Sequence, residues 1–129
     1  MILDSSAIVA ILKQEPDFER YRDALRTTEP KVMSVANWVE VCLVFDNQSA
    51  AHAARLDQFL EAAGIELVPV SIEQARVARE AYRRFGRGSG SPAKLNYGDC
   101  FAYALAITTG DTLLYKGDDF AHTDIRSAL

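Results

Sequence analysis

Residues 1–12 read MILDSSAIVAIL. Three apolar residues, one acid, two serines and a renewed apolar run fit a short buried strand that turns at once into a helix. Asp4 then stands at the carboxyl end of a strand and immediately before a helix. In open parallel sheets that is where ligands collect. The same position suits a plain helix cap, because Asp and Ser both satisfy the free amides of a first turn. The choice between ligand and cap depends on the rest of the chain.

Outward from this stretch the pattern alternates strand and helix. The expected strands are Met1–Asp4, Lys31–Ser34, Ile65–Val70 and Thr112–Tyr115. Between them the spacing predicts helices over Ser6–Lys13, over a segment with Pro16 in its first turn, and over Val35–Asp46, 50–63, Ser71–Phe85 and Tyr97–Thr108. Gly64 suits a helix C-cap, and GRGSGSPAKLN (86–96) reads as the one flexible loop. Strands separated by helices point to a parallel sheet covered on both faces, hence a single-domain α/β/α sandwich over residues 1–129.

Composition narrows the class. The chain has 129 residues, 49% of them hydrophobic and 25% charged, which suits a soluble domain with a proper core. No apolar run is long enough for a membrane span, and the N-terminus lacks the basic region of a secretory signal. Cys42 and Cys100 show no metal-ligand spacing and read as buried free thiols; His52 and His122 make no zinc motif. A cytoplasmic protein without a membrane partner is expected.

The net charge of −4 is unevenly spread. Residues 76–94 hold Arg76, Arg79, Arg83, Arg84, Arg87 and Lys94 against Glu80 alone, a local charge of +5 that leaves −9 for the remainder. Such a stretch can bind a polyanion at one face, or it can be an arginine-laced solvated helix.

Three segments place acids where acids are costly. In VANWVEVCLVF (35–45) Glu40 is the only charge on a helix that looks apolar all round and therefore buried. No basic residue lies within a turn or two, so a salt-bridge partner has to come from elsewhere. In NYGDCFAYALA (96–106) Asn96 can cap a helix with Asp99 in its first turn. Gly98 weakens that helix and allows a close approach. In TLLYKGDDFAHTD (112–124) Asp118 and Asp119 follow a strand and a glycine. Acids converging on one cleft repel unless a cation neutralises them, and an all-oxygen set selects Mg²⁺ or Mn²⁺.

MILDSSAIVAIL, the isolated Glu40, YGDCFAYALA and LLYKGDDFAHTDI together resemble, in order and over nearly the whole chain, the PIN-domain ribonucleases, specifically the VapC-type toxins. The resemblance implies a PIN-like fold with Asp4, Glu40 and Asp99 as core acids and metal ligands. It makes Asp118 the expected fourth, with Asp119 as its competitor, since many relatives carry an acid where this chain has Gly117. Ser6 matches a supporting hydroxyl, and Ser5 can share that duty. The implied activity is metal-dependent hydrolysis of RNA, with Arg79, Arg83, Arg84 and Arg87 contacting phosphates. The implied partners are a cognate antitoxin and a second copy of the chain, with Phe18, Tyr21 and Leu25 as a candidate dimer surface. A PIN-like module that only binds RNA or protein is the alternative.

For the fourth acid, an apolar Phe120 turned inward places Asp118 on its own side of an extended segment and Asp119 on the other. A haloacid-dehalogenase-like phosphatase needs a second Asp two residues after the first, where this chain has Ser6.

Overall fold

The structure is a computed structural model that describes residues 1–129. Four parallel strands form its sheet: β1 (Ile2–Leu3), β2 (Lys31–Ser34), β3 (Ile65–Val68) and β4 (Leu113–Leu114), in the order β3-β2-β1-β4. Around it run α1 (Ser5–Lys13), α2 (Phe18–Ala24), α3 (Val35–Asp46), α4 (Ala50–Ala63), α5 (Ile72–Phe85) and α6 (Tyr97–Thr109). A single 3₁₀ turn, Phe120–His122, follows β4.

The two residues of β1 decide how the layers are built. Ile2 pairs with Val32 on one side and Leu113 on the other, and Leu3 pairs with Leu114. Successive side chains of a strand point to opposite faces. Leu3, Met33 and Leu114 accordingly pack with α1 (Ile8, Ile11, Leu12), with Val41 and Phe45 of α3, and with Leu56 and Leu60 of α4. Ile2 and Leu113 pack on the other face with Ala78 and Ala81 of α5 and with α6. The helices thus cover both faces, as the alternating pattern implies. Fully burying one such Leu or Ile contributes roughly 1.5–3 kcal/mol.

The chain order creates a switch point. It runs outward from β1 through β2 to β3, then returns by α5 and α6 to lay β4 against the free side of β1. Between the carboxyl ends of β1 and β4 the connections leave in different directions, which opens a crevice there. Asp4 continues the ladder at this spot, its N–H donating to the Leu114 carbonyl at 3.0 Å.

Several sequence expectations are corrected. The strands are shorter than their apolar runs: β3 ends at Val68, and β1 and β4 have two residues each. Helix α2 starts at Phe18, not at Pro16, because Asp17 adopts a left-handed conformation (φ +66°) that breaks the turn. Tyr21 and Leu25 lie in the core, which removes them from the candidate dimer surface; Phe18 is half-buried. Cys42 is only half-buried, although both thiols are free. The 86–96 segment is pinned rather than loose. Leu95 N–H donates to the Phe85 carbonyl at 2.9 Å, Arg87 N–H donates to the Leu95 carbonyl at 3.1 Å, and Ala93 and Leu95 are fully buried.

Candidate active site

Asp4 caps α1 from the end of β1. Its Oδ2 accepts from the Ser6 backbone N–H at 2.9 Å and from the Ser6 hydroxyl at 2.5 Å. Ser6 Oγ in turn accepts from the Lys116 N–H at 3.0 Å, tying the segment after β4 to the start of α1. Asp4 is therefore the cap, and Ser5 begins the helix. The side chain is 2% exposed, yet its second oxygen, Oδ1, has no hydrogen-bond partner. A buried carboxylate oxygen left bare is costly. Burial pushes the Asp4 pKa up against the opposing bonds from Ser6, and the nearby charge of Glu40 pushes the same way.

Asp99 is held in a reciprocal capping box. Asn96 Oδ1 accepts from the Asp99 N–H at 2.8 Å, and Asp99 Oδ2 accepts from the Asn96 N–H at 2.8 Å. Despite this bond, burial raises the Asp99 pKa to about 7, with Asp4, Asp119 and Glu40 adding negative charge. That coupling ties four acids together electrostatically.

Glu40 is not the buried charge of an all-apolar helix. Val39 and Leu43 of α3 are 46% and 60% exposed, and Glu40 itself is half-buried. The helix is apolar on a side that faces outward, a case that composition alone cannot separate from burial. The partner of Glu40 is an amide rather than a cation. Asn37, one turn earlier and fully buried, donates through Nδ2 to Glu40 Oε2 at 2.9 Å and to the Gly98 carbonyl at 3.0 Å. A Cβ at Gly98 would collide with the Glu40 carboxylate, so the close approach expected at this glycine is that of Glu40 itself.

The pair after β4 behaves differently from the alternation argument. Asp119 is in a helical conformation (φ −58°, ψ −50°) at the head of the 3₁₀ turn, so side chains there do not alternate. Phe120 is buried as expected and packs against Tyr115 with ring centroids 5.0 Å apart. Both acids are exposed, and it is Asp119 whose charge reaches Asp99. Asp118 contributes its backbone carbonyl, which accepts from the Ala121 N–H at 3.1 Å.

Asn37 was not among the expected site residues. Its signal in the sequence is the spacing of an amide three residues before Glu40 on one helix, the distance at which helical side chains meet. Ser5 and Ser6 line an open cavity of about 580 Å³ together with Val9, Glu15, Glu40 and Lys116.

The four arginines do not act alike. Arg79 and Arg83 line a second cavity between α5 and α6. Arg84 pairs with Asp124 at 3.5 Å and lies over the Phe85 ring at 4.6 Å, while Asp124 also accepts from the Tyr103 hydroxyl at 2.7 Å. Arg87 is exposed in the turn after α5.

As the side chains stand, no three His, Cys, Asp or Glu groups gather tightly enough to enclose an ion. The donor chemistry nevertheless fits a hard divalent cation. All the acids offer oxygen, Asp4 Oδ1 is bare, and burial among like charges leaves Asp99 in need of a positive neighbour.

Comparison with known proteins identifies the family and the fold. A family model described as the PIN domain matches residues 1–126. Ribonuclease VapC42 of Mycobacterium tuberculosis is 48% identical over 129 residues, covering 99% of this chain and 98% of that protein. Ribonuclease VapC28 of the same species is 48% identical over 130 residues, covering 100% and 98%. Among solved structures, M. tuberculosis VapC20, a sarcin–ricin loop cleaving toxin, superposes with a TM-score of 0.73 at 12% identity, covering 97% of this chain and 98% of that one. VapBC2 from Rickettsia felis, bound to a promoter DNA fragment, gives 0.75 at 16% identity, covering 98% and 94%. Fold, family model and full-length relatives converge: this chain belongs to the PIN-domain family, among the VapC ribonucleases.

Proposed function

We propose that this chain is an endoribonuclease toxin, one PIN domain over residues 1–129, that hydrolyses RNA phosphodiester bonds and is held inactive by a cognate VapB-type antitoxin. The observation that carries the reading is Asp4 Oδ1, a buried and unpartnered carboxylate oxygen at the switch point, beside an Asp99 whose pKa is raised to about 7. Relatives 46–48% identical over nearly their full length carry the name ribonuclease. PIN-domain ribonucleases are in general divalent-metal dependent. The all-oxygen donor set favours Mg²⁺ here, with Mn²⁺ as a substitute.

Asp4, Asp99 and Glu40 are the residues that would hold the cation, with Asp119 ahead of Asp118 as the fourth acid. When bound, a cation of this kind activates a water for attack and neutralises charge on the phosphate. The rest belongs to the chain. Ser6 fixes Asp4 Oδ2 and leaves Oδ1 unpartnered, and Asn37 ties Glu40 to α6. Asn96 sets the Asp99 rotamer. No Cys or His serves as a nucleophile: Cys100 is pushed up to about 11 by burial and by Asp99, and its thiol donates to the Asn96 carbonyl.

The partners follow from the same chemistry. An antitoxin that covers an acidic crevice needs a basic side chain, and the solved relatives include toxin–antitoxin complexes. A homodimer is part of the reading. No helix is long and apolar enough to cross a membrane, and two free thiols suit the reducing cytoplasm.

The test is the purified protein, free of antitoxin, incubated with total RNA and Mg²⁺ or Mn²⁺, with cleavage ends sequenced. Discrete new ends that vanish with a chelator support the reading. Intact RNA under both cations contradicts it.

A further inference from the structure

The cavity between α5 and α6 is absorbed neither by the acids nor by a general basic face. It measures about 500 Å³ and is lined by Arg79, Tyr82, Arg83, Tyr97, Cys100 and Phe101, with Ala75 and Ala78 behind them. Two features distinguish it from packing left incomplete. Tyr97 is 79% exposed, although it opens a helix whose next residues are buried, and Tyr82 is also exposed. Tyr97 is not idle, since its ring meets Phe101 edge-on with centroids 4.9 Å apart. The result is an aromatic wall open to solvent.

Charge frames this wall. Arg79 and Arg83 stand on the α5 side, and neither is locked into a buried pair; Arg83 reaches Glu80 only at 3.4 Å in an exposed contact. Arg84, by contrast, is held away by Asp124. An aromatic face beside solvent-exposed guanidinium groups is the chemistry that stacks a base and holds its phosphate. The volume suits one nucleotide. Position completes the argument, because Tyr97 and Cys100 share the first turn of α6 with Gly98 and Asp99. A nucleotide seated here rests on the same helical turn that carries Asp99.

We propose that the α5–α6 cleft is a nucleobase subsite, in which Tyr97 and Tyr82 stack one unpaired base of the RNA substrate while Arg79 and Arg83 hold the adjacent phosphate. The proposal rests on the ribonuclease reading and deepens it, since it names the residues that set preference at one position near the cut.

The experiment is cleavage of a randomised pool of single-stranded oligoribonucleotides by the wild-type protein and by Tyr97→Ala, Tyr97→Phe and Arg79→Gln/Arg83→Gln, with product ends sequenced. The wild type is expected to show a base preference at one position near the cut. Tyr97→Ala flattens that preference and lowers cleavage on the order of tenfold, while Tyr97→Phe, which keeps the stacking ring, retains both. The arginine variant lowers cleavage of all sequences and leaves the preference in place. An unchanged preference in Tyr97→Ala, with wild-type cleavage intact, overturns the subsite alone. Sedimentation of the same variants gives the other adverse outcome: a Tyr97→Ala protein that loses a dimer the wild type forms, with its preference unchanged, assigns the cleft to a second copy of the chain. Failure of the wild type to cut any RNA overturns the ribonuclease reading itself.

Discussion

Asp4 performs two tasks with its two oxygens. Oδ2 satisfies the first turn of α1, and Oδ1 is left bare inside the protein. Asp4→Asn keeps a cap acceptor and removes a buried charge. Without metal its melting temperature should hold or rise, while RNA cleavage is abolished. Asp99, with Asp4 shifted the same way, carries the pH dependence. Its pKa in the fold, about 7, lies above the ordinary carboxylate value, so the folded protein binds a proton that the unfolded chain releases near pH 4. Metal-free stability should fall as pH rises from about 4 to 7, and Asp99→Asn should make that slope shallower, with the Asp4 contribution remaining. Thermal melts across pH in chelator check both; the same slope in wild type and Asp99→Asn contradicts the burial of Asp99. Between the paired acids, Asp119→Asn should raise the Mg²⁺ requirement more than Asp118→Asn does. The sequence could not separate these two. Alternation presumes an extended chain, and Asp119 sits instead in a helical turn whose onset depends on Phe120 finding the core. Asp4 and Asp99 were legible because each interrupts an apolar run at a strand or helix end. Asn37 was not, because its role depends on α6 lying against α3.

The first turn of α6 is the element on which the site depends most. Its capping box fixes Asp99, and its glycine admits Glu40. Asn96→Ala should cost about 1 kcal/mol by losing the cap and should lower activity by freeing the Asp99 side chain. Gly98→Ala should be more damaging to activity than to helix formation, since Ala favours helix but its Cβ displaces the Glu40 carboxylate. Denaturant melts paired with cleavage rates separate the two effects. A Gly98→Ala protein as active as the wild type would refute the close approach of Glu40. Phe120→Ala should cost roughly 3–5 kcal/mol by emptying a core position. Helix positions were legible from periodicity and caps, with Gly64 ending α4 in the left-handed conformation as expected. Burial was less so: the apolar side of α3 faces outward at Leu43, while Tyr21 of α2 turns in. A helical pattern shows which residues share a face, and only packing shows what that face meets.

At the scale of the whole molecule, charge and topology are arranged together. The return of β4 to the side of β1 sets the segment after β4 beside Asp4 at the end of β1, while α5 carries the exposed Arg79 and Arg83 into the cleft it shares with α6. An acidic protein can thus hold a polyanion, because the basic residues are gathered on α5 and the segment after it. Replacing Arg79 and Arg83 together should weaken single-stranded RNA binding and reduce the salt slope by about 0.7 for each phosphate that is no longer neutralised. Arg84→Gln should lower RNA binding less than that double replacement does and cost about 1 kcal/mol or less of stability, since its pair with Asp124 is exposed and Asp124 keeps the Tyr103 hydroxyl. The measurement that bears most directly on the central claim is the rate of RNA cleavage against Mg²⁺ concentration for wild type, Asp4→Asn and Asp99→Asn, each confirmed folded by its melt. The account predicts a rate that saturates with Mg²⁺ in the wild type and is absent, or reduced at least a hundredfold, in both variants at every concentration. Wild-type rates in either folded variant at saturating Mg²⁺ would contradict it.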